Sequence, residues 1–74
     1  MREQQVMVPI GISVNGEDRE LTTPLTIAEL LETMSLPSKG IAVAVNGEVF
    51  PRARWDESVM RGWEIEILTA VQGG

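Results

Sequence analysis

The sequence predicts a single α+β domain in which one helix packs on one face of a five-stranded sheet, in the order ββαβββ. Two Asn-Gly dipeptides, Asn15-Gly16 and Asn46-Gly47, each follow an apolar segment and are typical of β-hairpin turns. Between them lies one segment whose apolar residues have helical spacing. The chain has 74 residues, which is room for one small domain.

The first hairpin begins with a segment of alternating apolar residues. Val6 to Val14 follow a period of two, which is typical of a strand with one buried face. Because Pro9 cannot donate to a ladder, we expect the paired part to be Ile10–Val14. Asn15-Gly16 suits a type I′ turn, since both central residues of that turn need positive φ. Glu17 to Thr22 is predicted to return as a polar edge strand.

The predicted helix has clear signals at both ends. Thr26 can cap it, and Glu29 three residues later completes a capping box. Pro37 marks its far end. The apolar stripe that it presents to the sheet is Ile27, Leu30, Leu31 and Met34.

The second half of the chain predicts three further strands. Ile41 to Val45 is a short β-branched run, and Glu48 to Phe50 returns after the second Asn-Gly turn. Residues 52–61 lack a period and are predicted to form a connector pinned by Trp55. Trp63 to Ile67 then alternate as the last strand. The predicted core is Ile10, Ile12, Val14, Leu21, Ile27, Leu30, Leu31, Met34, Ile41, Val43, Val45, Ile65 and Ile67.

The domain organisation follows from these elements. We expect residues 1–9 to form a partly ordered N-terminal extension and residues 10–70 to form the domain. Residues 71–74 are expected to form a flexible C-terminal tail.

Composition excludes several classes of function. With 11 acidic and 6 basic side chains the net charge is -5, which argues against a nucleic-acid partner. Cys and His are absent, so we expect no thiolate nucleophile, no metal site and no catalytic side chain. No apolar run approaches the roughly 20 residues of a membrane span, and the N-terminus lacks an apolar signal core. We therefore expect a soluble, cytoplasmic protein.

An enzymatic site is weakly indicated. Glu64 and Glu66 are two apart on a strand and share a face, an arrangement that acid–base chemistry can use. The same pair is typical of a solvated sheet face, and we favour that interpretation.

The last two residues of the sequence are Gly73-Gly74, and this pair is more informative about function than Glu64 and Glu66. One interpretation is a frayed end. The other is that the carboxylate of Gly74 is a reactive group, led by a thin segment that can thread into another protein's active site. A carboxylate is a poor electrophile, but ATP can activate it by adenylation, and a sulfur nucleophile could then leave a thiocarboxylate. This chemistry asks for no side chain of the chain itself.

Several motifs resemble the ThiS family, the sulfur carriers of thiamine biosynthesis. The segment Val43 to Trp55, with its Val-Asn-Gly-Glu and Pro-Arg-x-x-Trp motifs, is similar to the middle of that family. Ile65 to Gly74, ending Ala-Val-Gln-Gly-Gly, is similar to its end, and Thr26 to Met34 falls where the family has its helix. The resemblance covers about Ile10 to Gly74. It implies a β-grasp, ubiquitin-like fold with a mixed five-stranded sheet.

The resemblance also implies a role as a protein co-substrate rather than an enzyme. A ThiF-like adenylyltransferase would adenylate Gly74 with ATP, and sulfur from a cysteine desulfurase would form the thiocarboxylate. A ThiG-like thiazole synthase would then take the sulfur. Val71 and Gln72 would lie along the partner's groove, and Gly73 would pass its narrowest point. No bound cofactor is implied.

The sheet face away from the helix is the predicted partner surface. Ala42, Ala44, Leu68 and Ala70 have the parity opposite to the core and would form a shallow apolar patch. We hypothesise that Leu68 docks on the activating enzyme together with Glu64 and Glu66.

Two departures from the family pattern and two alternatives stay open. Trp63 stands where the family usually has Asp, and we expect it to pack on the core. The N-terminal extension has no functional account.

A MoaD-like carrier for molybdopterin or another metabolite would use the same chemistry, although Pro-Arg-x-x-Trp favours ThiS. A β-grasp interaction domain that carries nothing is the alternative from another class.

Overall fold

A computed structural model describes residues 9–37 and 39–69, in which five strands form one mixed sheet. The strand order is β2-β1-β5-β3-β4; β1 and β5 are parallel, and the other neighbouring pairs are antiparallel. The predicted α+β class, the ββαβββ order and the mixed β-grasp sheet are confirmed. The strands are β1 (Ile10–Val14), β2 (Glu17–Leu21), β3 (Ile41–Val45), β4 (Glu48–Val49) and β5 (Glu64–Thr69).

Both hairpins turn at the predicted Asn-Gly dipeptides. Asn15 and Asn46 each have φ 52°, and the glycines that follow have φ 84° and 85°. Two successive positive φ angles are what a type I′ turn requires, and Asn and Gly adopt them at the lowest cost. The turn chemistry therefore sets the register of β1 with β2 and of β3 with β4.

The single α-helix of the described residues, α1 (Ile27–Thr33), has the predicted capping box at its start. A short 3₁₀-helix spans Arg52–Arg54. The Glu29 N–H donates to Thr26 Oγ1 at 3.1 Å, and the Thr26 N–H donates to Glu29 Oε1 at 2.9 Å. The helix has seven residues and ends before Pro37. Ser35, with φ 59°, reverses the chain, while the Leu36 N–H donates to the Leu31 carbonyl at 3.0 Å. This is a Schellman-type ending, with Ser in the position that Gly usually takes.

The core lies between α1 and one face of the sheet, as predicted, but it extends further than the predicted set. Ile10, Met34 and Ile41 are only half-buried at its margin. Three buried residues come from the region after β4, where no periodicity indicated them. The buried residues are Ile12, Val14, Leu21, Ile27, Leu30, Leu31, Val43, Val45, Phe50, Trp55, Val59, Ile65 and Ile67.

The connector from 51 to 62 is held to the helix side by its own contacts. The indole N–H of Trp55 donates to the Phe50 carbonyl at 3.1 Å, and the Val59 N–H donates to the Leu25 carbonyl at 2.8 Å. Arg54 donates to both carboxylate oxygens of Glu57, and this bond holds the pKa of Glu57 below its usual value. These bonds explain how a segment without periodicity buries two of its side chains, Trp55 and Val59.

Trp63 packs on the core as expected. Its ring meets Phe50 edge to face, with centroids 5.5 Å apart, and the side chain is half-buried. Trp63 thus closes one end of the core.

Two sequence-based expectations fall outside this description. All of the predicted extension except Pro9, and all of residues 70–74, lie outside the described residues. Among the residues that are described, no helix is long and apolar enough to cross a membrane.

Removing the helix cap tests the capping box. Thr26→Ala deletes the acceptor of the Glu29 N–H and is expected to lower the free energy of unfolding by about 1 kcal/mol. Urea unfolding followed by tryptophan fluorescence measures this, because Trp55 is buried. Thr23→Ala, at an exposed bend, is the control and should change stability by less than about 0.5 kcal/mol. Equal losses in the two variants would contradict a specific capping contribution.

Candidate functional site

The candidate site is the outer face of the sheet, which is the face turned away from α1. Strand register decides which side chains it carries, because directly paired residues lie on the same face. Leu68 pairs with Ala42, Glu66 with Ala44, and Glu64 with Ser13. The residues between them, Ile65 and Ile67, are buried in the core. β5 therefore presents Glu64, Glu66 and Leu68 on one face, as the predicted parity requires.

One half of the outer face is apolar. This apolar patch comprises Ala42, Ala44, Val49 and Leu68, which come from β3, β4 and β5. Leu68 is 64% exposed and Val49 is 79% exposed, although both are large hydrophobic residues. A shallow depression of about 330 Å³ lies along Ala42 and Leu68. Exposed apolar surface of this kind is typical of a protein contact.

Val49 belongs to the patch but was not among the predicted partner residues. It pairs with Ala44 across β3 and β4, which places it on the outer face. Phe50, the next residue, is buried. The alternation of Val49 and Phe50 after the Asn-Gly turn is the signal that could have identified it.

The other half of the outer face is acidic. Glu64 and Glu66 are exposed on β5, and Asp18 and Glu20 occupy the same face of β2, opposite Ser13 and Gly11. The outer face therefore changes from acidic at β2 to apolar at β3 and β4. A partner surface that matches it has basic groups beside an apolar area.

The exposure of Glu64 and Glu66 agrees with a solvated sheet face rather than an acid–base centre. A depression of about 420 Å³ lies beside Glu64, lined in part by Gly11, Ser13 and Trp63. It adjoins the start of β5, away from the C-terminal end of that strand. Within residues 9–37 and 39–69, no group of three or more acidic, Cys or His side chains could hold a metal ion.

The end of β5 is where the domain meets the predicted tail. Thr69 is paired with Ile41 and is the last described residue. Five further residues lead to Gly74, and a fully extended chain of that length reaches at most about 17 Å. The predicted site residues Ala70, Val71, Gln72, Gly73 and Gly74 lie outside the described residues. Any partner that contacts Gly74 therefore approaches to within that distance of Thr69.

Comparison with known proteins identifies similar chains. The model of the ThiS family matches residues 12–74. The sulfur carrier protein ThiS of Thermus thermophilus is 37% identical over 62 residues, which are 82% of this chain and 95% of that protein. A thiazole synthase of Paramagnetospirillum magneticum is 31% identical over 62 residues, or 82% of this chain. The match spans only 19% of the length of that protein.

A solved structure has the same fold. The crystal structure of a thiamine biosynthesis protein (ThiS) from Geobacter metallireducens superposes with a TM-score of 0.72 at 29% identity. The superposition covers 88% of this chain and 100% of that one.

Substitutions at two adjacent residues of β5 should change the stability by very different amounts, because one side chain faces water and the other faces the core. Leu68→Asp is expected to change the free energy of unfolding by less than about 0.5 kcal/mol, since its side chain is already exposed. Ile67→Ala, a buried truncation, should cost about 2–5 kcal/mol. Urea unfolding of the two variants checks this, and a large loss for Leu68→Asp would contradict the assignment of Leu68 to the outer face.

Proposed function

Because this chain belongs to the ThiS family, we propose that it is a sulfur carrier of thiamine biosynthesis, a protein co-substrate rather than an enzyme. The observation that carries the proposal is the extent of the family match, which runs to residue 74 and includes Gly73-Gly74. The similarity to a named ThiS sulfur carrier over 95% of that protein supports it.

The first step is activation of the Gly74 carboxylate. A carboxylate spreads its charge over two oxygens, so nucleophiles attack it slowly. In the proposed step one oxygen attacks the α-phosphorus of ATP, pyrophosphate leaves, and an acyl adenylate forms. A ThiF-like adenylyltransferase supplies the site for this reaction, and ATP binds to that partner.

The second step replaces oxygen by sulfur. Hydrosulfide attacks the acyl carbon and AMP leaves. If a persulfide from a cysteine desulfurase attacks instead, an acyl disulfide forms, and a second thiol cleaves its S–S bond and becomes part of a new disulfide. The result is a thiocarboxylate on Gly74, which a ThiG-like thiazole synthase uses for the thiazole ring. The resemblance of this chain to part of a thiazole synthase supports that partner. The chain contains no Cys or His, and neither step requires one.

The outer face provides the docking surface in this proposal. Leu68 and Val49 contribute exposed apolar area, and Glu64 and Glu66 contribute charge beside it. A partner bound there holds the start of the tail within about 17 Å of its reaction centre. Val71 and Gln72 then lie along the partner's groove, and Gly73, without a side chain, passes the narrowest point.

Intact mass tests the chemistry. The chain is incubated with a ThiF-like enzyme, ATP and sulfide, and then with a thiol alkylator. We expect one oxygen to be replaced by sulfur and one alkyl group to be added, because the chain has no competing Cys. A variant with one Ala appended after Gly74 should keep the fold and lose both mass changes. An unshifted mass, with the enzyme active on an established carrier, would overturn the proposal, as would full activity of the extended variant.

Docking is tested separately by substitution on the apolar patch. Leu68→Asp is expected to raise the KM for the carrier in adenylation about tenfold, because it puts a charge in a desolvated contact. Leu68→Ala separates the loss of apolar area from the added charge and should have a smaller effect. Met60→Asp is the control, since Met60 is 56% exposed but lies in the connector rather than on the outer face. Equal KM values for Leu68→Asp and Met60→Asp would contradict docking at this patch.

A further inference from the structure

The parallel pairing of β1 with β5 stops where β1 turns into the first hairpin. The paired residues are Ser13 with Glu64 and Val14 with Ile65. In a parallel ladder, the N–H of a bonded residue donates to a carbonyl of the neighbouring strand. Its own carbonyl accepts from the N–H of the residue two positions further along that strand. A continued β1 would therefore use the N–H and carbonyl of residue 15 to hold Ile65 and Ile67. The turn at Asn15-Gly16 takes the backbone away before the second of these bonds.

The side chain of Asn15 supplies the bond that the turned backbone cannot make. The Asn15 N–H donates to the Ile65 carbonyl at 2.8 Å. Its Oδ1 accepts from the Ile67 N–H, also at 2.8 Å. The carboxamide thus replaces a strand carbonyl and extends the hold on β5 one step toward Leu68.

In the second hairpin, Asn46 makes a corresponding pair of hydrogen bonds at the opposite end of β5. The Asn46 N–H donates to the Glu64 carbonyl at 2.7 Å, and Asn46 Oδ1 accepts from the Glu64 N–H at 3.0 Å. Both Asn residues have the same positive φ and follow the same kind of strand. They differ in where they hold β5: Asn46 at its first residue, and Asn15 next to Leu68.

We propose that Asn15 is a positioning residue that orients Leu68 for docking on the activating enzyme. The inference rests on the proposed function. With the Ile67 N–H held, the backbone that enters Leu68 has one direction, and Leu68 projects from the outer face before the partner arrives. Without that bond, only the ladder with β3 holds this part of β5. Docking must then restrict the remaining motion, which weakens association rather than the chemical step.

Asn suits position 15 because it meets two demands together. The φ of 52° is costly for most residues, and the Ile67 N–H needs an acceptor. Asn15→Gly keeps the turn and removes the acceptor, while Asn15→Asp keeps both the turn and an acceptor oxygen. Asn46→Gly makes the same change in the matching hairpin.

Amide hydrogen exchange tests the hold on β5 directly. Asn15→Gly should speed exchange at Ile67 up to roughly tenfold relative to Glu64, and Asn46→Gly should do the reverse. Asn15→Asp should retain most of the protection at Ile67. Equal changes at Ile67 and Glu64 in both glycine variants would mean a general loss of stability and would overturn the proposal.

Adenylation kinetics test the positioning role. Asn15→Gly should raise the KM for the carrier severalfold with kcat within about twofold, since docking alone loses preorganisation. Asn46→Gly should leave both values within about twofold, and Asn15→Asp should restore the KM. A change confined to kcat, or equal KM increases in both glycine variants, would overturn the proposal. If the unaltered chain is not adenylated, the proposed function fails. If it is adenylated but the glycine variants change amide exchange equally at Ile67 and Glu64, only the role of Asn15 is overturned.

Discussion

The structure depends on the placement of β5 between β1 and β3. This strand comes last among the described elements but lies at the centre of the sheet, with Ile65 1% exposed beneath α1. Its parallel partner Ser13 is 51 positions earlier in the chain than Glu64. Closing the ladder on that side therefore carries the loop-closure entropy of a long intervening segment. The position of β5 is consequently a property of the whole domain rather than of its neighbours in sequence.

One strand serves both the core and the candidate docking face. The period of two in β5 sends Ile65 and Ile67 to the helix and sends Glu66 and Leu68 to the outer face. A shift of register by one residue would bury the carboxylates and expose the isoleucines, so the core enforces the position of the patch. The Asn side chains of the two hairpins act on this same strand, at its two ends.

Local patterns predicted most of the fold, and the exceptions have physical causes. The Asn-Gly turns, the Thr26 capping box and the alternation in β5 depend on neighbours in sequence, and all three are confirmed. The burial of Val59 was not predicted because the connector that contains it has no period, and that of Phe50 was not predicted because it ends a strand of only three expected residues. Val49 was missed because β4 has only two residues, so that its outward face is indicated by little more than the alternation of Val49 with Phe50. The bond from Ile67 to Asn15 joins residues 52 positions apart and follows only from the adjacency of β1 and β5.

The candidate site has two parts. The sequence predicts the tail, and the strand register defines the outer face of the sheet. Gly74 lies five residues beyond Thr69, a reach of about 17 Å at most. On the helix side of β5, the core blocks the approach of a partner to this strand. The sheet edges β2 and β4 are each two strands away, about 10 Å from β5. A partner that grips the outer face across β3 and β5 is therefore already next to the exit of the chain. In the proposed function, the domain contributes a docking face next to the last strand, and the partner enzyme supplies the catalytic groups.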